Sequence, residues 1–172
     1  MQSDLFEEVK NKLLSNKSNH LTIMYDTAVN NKLKTIVECG VDRGTSTCAF
    51  LEVFKKIDGT LYSFDIKDCS NLFNDKNWNF FQTNDIEITQ IIKKFPEIKQ
   101  KGIDLLYIDS YHENFHVSKL LNLYFKYTKK NGAIFISDID GVFHRKKYSF
   151  QKRLADLWQC IVYDLTSDAV RE

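Results

Sequence analysis

Thr35-Ile36-Val37-Glu38-Cys39-Gly40-Val41-Asp42-Arg43-Gly44-Thr45-Ser46 decides how this chain is read. A short apolar run ends in an acid and a glycine-bearing bend, and Ala49, Phe50, Val53, Phe54 and Ile57 then follow at helical spacing. That order of periods predicts a strand over 35–39, a tight loop over 40–45 and a helix over 46–57 stopped by Asp58-Gly59. Gly40 permits a backbone turn closed to residues with a Cβ. Gly44 lets the chain come close to a ligand just before a helix presents its free N–H groups.

The same unit recurs downstream. Strands are predicted over 60–66, 79–83, 103–109, 133–138 and 161–165, with a loop or one short helical turn over the polar, Asn-rich stretch 67–77. Helices are predicted over 86–95, ended by Pro96, over 113–129, stopped by Asn131-Gly132, and over 147–158. The 113–129 helix carries Val117, Leu120, Leu121 and Tyr124 on one stripe. Upstream, helical spacing over 4–16 and 20–33 gives two leading helices. Strands alternating with helices define an α/β fold: a Rossmann-like, doubly wound, mostly parallel sheet in three α/β/α layers. A single domain is expected over 1–172, with the leading helices in 1–33, the core in 34–172 and a shortened C-terminal edge. An open sheet edge invites pairing, so a homodimer or a short shielded edge is expected.

Composition narrows the function. The 172 residues carry 24 Lys plus Arg against 23 Asp plus Glu, a net charge of +1 that gives no global attraction to nucleic acid or anionic membrane. No apolar run approaches the roughly 18 residues that span a bilayer, and Asp4, Glu7 and Glu8 stand where a signal peptide is basic and then apolar, so a cytoplasmic protein is expected. Cys39, Cys48, Cys69 and Cys160 form no C-x-x-C pair and read as reduced, mostly buried thiols.

Ligands of open α/β sheets bind outside the carboxyl ends of the strands. Those ends carry the Glu38–Ser46 loop, Asp65 with Ile66, Asn84-Asp85, Asp109-Ser110-Tyr111-His112 and Ser137-Asp138-Ile139-Asp140, an acid at every one. The first loop is not a dinucleotide fingerprint, since G-x-G-x-x-G requires glycine where Asp42 and Thr45 stand. It is not a P-loop either, for no G-K-[ST] follows.

Over residues 35–140 the chain resembles the class I S-adenosylmethionine-dependent methyltransferases. The likeness is to the branch with an E-x-G-x-x-x-G-x-S first loop that includes macrocin-type sugar and small-molecule O-methyltransferases. The resemblance implies that Glu38, Gly40, Val41, Asp42, Gly44, Thr45 and Ser46 wrap the methionine part of S-adenosyl-L-methionine. It also implies that Asp65, beside Ile66, accepts hydrogen bonds from the ribose hydroxyls, that Asn84-Asp85 meets the adenine, with Asp85 at its amino group, and that Asp109 closes the cofactor site.

Strands four and five are neighbours, about 4.8 Å apart. Carboxylates at equivalent ends would repel unless a divalent cation with oxygen ligands lay between them, which makes Mg²⁺ between Asp109 and Asp138 the expected metal site. Relatives that carry a metal have an acidic or amide pair after strand five; Ser137 stands where its other member would be, and Asp140 is the candidate third ligand. Relatives that carry a metal place a His three residues after the strand-four Asp as general base, and Asp109 and His112 match that spacing. Imidazole titrates near neutral pH and suits removal of a proton from a hydroxyl. His116, one turn along, is a second candidate, and Tyr111 and Phe143 are candidate walls of an acceptor pocket. Pro96 is the sole proline, so the Asn/Asp-Pro-Pro-aromatic loop of amino-methylating DNA enzymes and the Pro-Cys nucleophile of cytosine C5 enzymes are both excluded. The expected function is O-methylation of a small hydroxylated acceptor. The alternatives are an RNA methyltransferase using the basic run His144-Arg145-Lys146-Lys147 with Lys152-Arg153, and a non-catalytic cofactor-binding protein.

Overall fold

The computed structural model describes residues 4, 7–11, 20–137 and 161–165. Its strands are β1 (Thr35–Cys39), β2 (Thr60–Asp65), β3 (Trp78–Gln82), β4 (Ile103–Ile108), β5 (Thr128–Ser137) and β6 (Ile161–Leu165). Its helices are α1 (His20–Asn30), α2 (Thr45–Phe54), α3 (Ile88–Lys94), α4 (Pro96–Lys101) and α5 (Asn114–Tyr124). The strands form one sheet of order β3-β2-β1-β4-β5-β6, parallel at every pairing. That is the Rossmann-like α/β order expected from the sequence, with its reversal between β1 and β4.

Both faces of the sheet are covered, which is why the strands read as continuous apolar runs. Alternate residues feed two separate cores. Ile36, Leu61, Leu105, Ala133 and Phe135 pack with α1 and α2 on one side. Val37, Tyr62, Leu106, Ile134 and Ile136 pack with α3, α4 and α5 on the other. Val9, in the described part of the leading helix, reaches the first core.

Register places the functional edge. Cys39 lies level with Phe64 of β2 and with Ile108 of β4, so Gly40, Asp65 and Asp109 leave the sheet side by side. The Gly40 amide donates to the Phe64 carbonyl at 2.9 Å, and the Asp109 amide to the Cys39 carbonyl at 2.8 Å. At the opposite edge Asp104 accepts from the amides of Lys34 and Thr35 at 3.0 and 2.8 Å and from Lys129 Nζ at 2.8 Å.

The main departures from expectation lie around helix ends. Pro96 does end α3, but it also opens α4, because its fixed φ and missing N–H suit the first turn of a helix. The helix expected over 113–129 stops at Tyr124, passes through one turn of 3-10 helix at Phe125–Tyr127, and β5 begins at Thr128. Asn131, expected as a helix stop, instead sits inside β5 at a φ of 67°, where the register with β4 shifts between Ile103 and Leu105. The helix expected over 147–158 lies outside the described residues.

Candidate active site

The carboxyl edge opens into a hollow of about 540 Å³, within the range that holds a small ligand. Its lining includes Gly40, Val41 and Asp42 from the first loop, Asp65 and Ile66 after β2, Asn84 and Asp85 after β3, and Asp109, Ser110, Tyr111 and His112 after β4. Glu38, Gly44, Thr45 and Ser46, named with them from the sequence, are not among the lining residues. Asp138, Asp140, Phe143 and the basic run 144–153 lie outside the described residues.

The first loop is held from both sides by carboxylates. Glu38 is fully buried and accepts from Ser46 Oγ at 2.6 Å, Thr47 Oγ1 at 2.9 Å and Ser63 Oγ at 2.6 Å. It thereby ties β1 to the start of α2 and to β2. Burial pushes its carboxyl up to about 7, against the opposing pull of those three hydroxyl donors. From the solvent side, Asp65 Oδ2 accepts from the amides of Val41 and Asp42 at 2.8 and 3.1 Å, while Oδ1 accepts from the amide of Lys67 at 2.8 Å. A carboxylate offers roughly four lone-pair positions, so Asp65 keeps about one, on Oδ1, for a ligand hydroxyl.

Backbone geometry explains the glycines. Gly40 has a φ of +96°, and a Cβ there would lie 2.2 Å from the Asp109 carbonyl oxygen. Gly44 caps α2 at a φ of +83°, and its Cβ would meet the Phe73 ring at 2.5 Å. The loop thus approaches the β4 edge as closely as bare backbone permits, with the Asp109–Ser110 backbone standing where a side chain at Gly40 would go. Asp42, also at positive φ, points to solvent, and the hydrogen bond from Lys67 Nζ at 3.0 Å holds its carboxyl below the usual range.

Asp109 accepts from the Tyr107 hydroxyl at 2.8 Å and lies 3.8 Å from His112 Nε2. Burial, and next the Asp109 charge, push the Tyr107 hydroxyl well above its usual range, which keeps it a donor. The spacing from Asp109 to His112 therefore becomes proximity in space, with the imidazole at the mouth of the hollow. Among the described residues, no group of three or more His, Cys, Asp or Glu is placed to hold a metal ion. Asp109 is the one member of the expected magnesium set that is described.

A second pair was barely legible in the sequence. Asp85, only 5% exposed, sets Oδ1 3.0 Å from His116 Nε2, and the Tyr124 hydroxyl donates to the Asp85 carbonyl at 2.8 Å. Ser110 Oγ lies 3.4 Å from the same His116 nitrogen. Serine, histidine and aspartate thus meet in the hollow, but they share one ring nitrogen. A proton cannot pass from the serine through the ring to the acid, as a nucleophilic triad requires. No spacing rule links residues 85 and 116, so only the fold reveals the contact.

The family described as "Methyltransferase domain" matches residues 37–139, which hold all of the described site, and the chain belongs to that family. Members of such families use S-adenosylmethionine as methyl donor. No curated protein matches the chain. Among solved structures, a short-chain dehydrogenase/reductase of the glucose/ribitol dehydrogenase kind from Brucella melitensis is similar with a TM-score of 0.53 and 14% identity, over 77% of this chain and 71% of that one. That likeness is one of fold. Among the described residues no helix is long and apolar enough to cross a membrane.

Proposed function

We propose that the protein binds S-adenosyl-L-methionine in the hollow at the carboxyl edge and transfers its methyl group to a hydroxyl of a small acceptor, such as a sugar or another hydroxylated metabolite. The observation that carries this reading is the first loop. It brings bare backbone at Gly40 against β4 beside Asp65, Asp85 and Asp109, inside a family of methyltransferase domains. The residues fit the donor. Asp65 retains an acceptor for a ribose hydroxyl, and Asp85 Oδ2 is a buried oxygen with no donor among the described residues, a deficit that an exocyclic amino group would relieve.

S-adenosylmethionine, when bound, supplies a methyl carbon already activated by a sulfonium leaving group. The protein's part is then placement and one proton. Gly40, Val41 and Asp42 shape the wall beside Asp109, and Asp65 fixes that wall through the Val41 and Asp42 amides. His112 takes the proton from the acceptor hydroxyl as the oxygen becomes bonded to carbon, with Asp109 3.8 Å from its Nε2. The exposed ring of Tyr111 is the acceptor-side wall.

A magnesium ion on Asp109, Asp138 and Asp140 belongs to the same reading as an aid to hydroxyl ionisation. Turnover lost on chelation and restored by magnesium supports it, and turnover indifferent to chelation removes it. The test of the whole reading is an acceptor screen with methyl-labelled donor. Label on the oxygen of a sugar or metabolite is expected, whereas label on RNA alone moves the reading to the RNA class. A saturable donor site with no transfer to any acceptor leaves a binding protein.

A further inference from the structure

Asp85 is a carboxylate taken almost wholly out of water, and among the described residues one side chain, His116, meets it. Oδ1 faces His116 Nε2 at 3.0 Å, while Oδ2 is enclosed and has no donor among the described residues. A buried carboxylate oxygen left unmatched is costly, and the cost falls when a ligand brings the missing N–H. His116 is itself well held. It sits in the first turn of α5, its ring packs edge-on against Tyr111 at 5.7 Å, and Ser110 Oγ approaches the same nitrogen at 3.4 Å. The imidazole therefore has little freedom to leave Asp85, and its 3.0 Å contact with Oδ1 limits which way the carboxylate plane turns.

We propose that His116 is a positioning residue for the nucleoside end of the site: it orients Asp85 so that the pair accepts a 6-amino purine and rejects a 6-oxo purine. This rests on the S-adenosylmethionine reading above. The discrimination follows from donor and acceptor chemistry. An adenine amino group donates to the carboxylate, whereas the 6-oxo group of hypoxanthine sets a second acceptor against it in a site that water cannot easily enter. Sites built to hydrogen-bond one group reject analogues lacking it far more strongly than apolar pockets do. Asp85 provides the acceptor, and His116 decides whether the acceptor is aimed.

The test compares binding of S-adenosylhomocysteine and S-inosylhomocysteine by calorimetry, using the full chain and two variants. The unsubstituted protein is expected to prefer the adenosyl compound by more than about 100-fold, since polar recognition of a single group reaches roughly 10⁴-fold. His116→Leu removes the donor and is expected to narrow the ratio to below about 10-fold. His116→Gln, whose amide N–H reaches about as far as Nε2, is expected to restore most of it. Damage to packing alone would weaken both ligands together and leave the ratio unchanged, so melting curves of each variant accompany the titrations. A ratio that survives His116→Leu, or a His116→Gln protein no more selective than His116→Leu, overturns the assignment and leaves the methyl-transfer reading standing. Equal affinity of the unsubstituted protein for the two compounds does the same. Binding of neither compound to the unsubstituted protein removes both readings together.

Discussion

Replacing Glu38 by glutamine tests the most unusual group in the fold, and the expected result is a difference in stability that depends on pH. In the folded protein the Glu38 carboxyl titrates near about 7, raised from 4.5 chiefly by complete burial. In the unfolded chain it returns to the ordinary value. Between those two pH values the native state holds a proton that the unfolded state has released, so native stability falls as pH rises. The stability is fully present below about pH 4.5 and is lost as pH passes 7. At about 1.4 kcal/mol per pH unit, a span of 2.5 units amounts to about 3 kcal/mol, a large share of the 5–15 kcal/mol typical of a domain. Glu38→Gln cannot titrate. Subtracting its unfolding free energy from that of the unsubstituted protein, measured in urea at half-unit steps from pH 4.5 to 8, isolates the group from every other ionisation. The difference is expected to move by about 3 kcal/mol against the unsubstituted protein as pH rises, and then to level off above pH 7. A flat difference, or one of opposite slope, would refute burial as the dominant influence and make Glu38 an ordinary ionised brace.

Three further outcomes follow from particular contacts. Gly40→Ala forces a Cβ to within 2.2 Å of the Asp109 carbonyl at a φ of +96°, so a loss of more than about 2 kcal/mol in unfolding free energy is expected with collapse of donor binding; an unshifted denaturation midpoint contradicts this. His112→Ala should lower turnover by about 10²- to 10⁴-fold while S-adenosylhomocysteine affinity stays within about threefold, and unchanged turnover removes it as the base. Asp104→Ala strips the acceptor from two backbone amides and Lys129 at the opposite edge, so chemical denaturation should show a loss of about 1–3 kcal/mol while donor affinity is unaffected.

The centre of the sheet was legible because β1, β2 and β4 are buried on both faces. β1 and β6 stand where their apolar runs predicted, and β2 and β4 differ by one residue at the end. β5 was foreshortened because Lys129-Lys130-Asn131-Gly132 carries the chemistry of a stop. In the fold, a bulge against β4 absorbs that positive-φ asparagine inside the strand. The ring of acids around the hollow could be read from strand ends alone. Which acid holds what could not. Asp65 turns one oxygen onto two amides of the loop, 23 and 24 residues away, and Asp85 finds His116 across 31 positions, choices made by side-chain direction and not by sequence spacing. His112 was found more readily than His116 because its partner lies within one turn of chain.

A Rossmann-like sheet with an acid after β2 suits a dinucleotide as well as a methyl donor, so the molecule that the first loop holds decides the function. Calorimetric titration of the full chain with S-adenosylmethionine and, separately, with NAD decides between them. Saturable binding of S-adenosylmethionine, weakened in Asp65→Ala, with no heat from NAD, is the predicted result. Saturable binding of NAD with none of S-adenosylmethionine would contradict it.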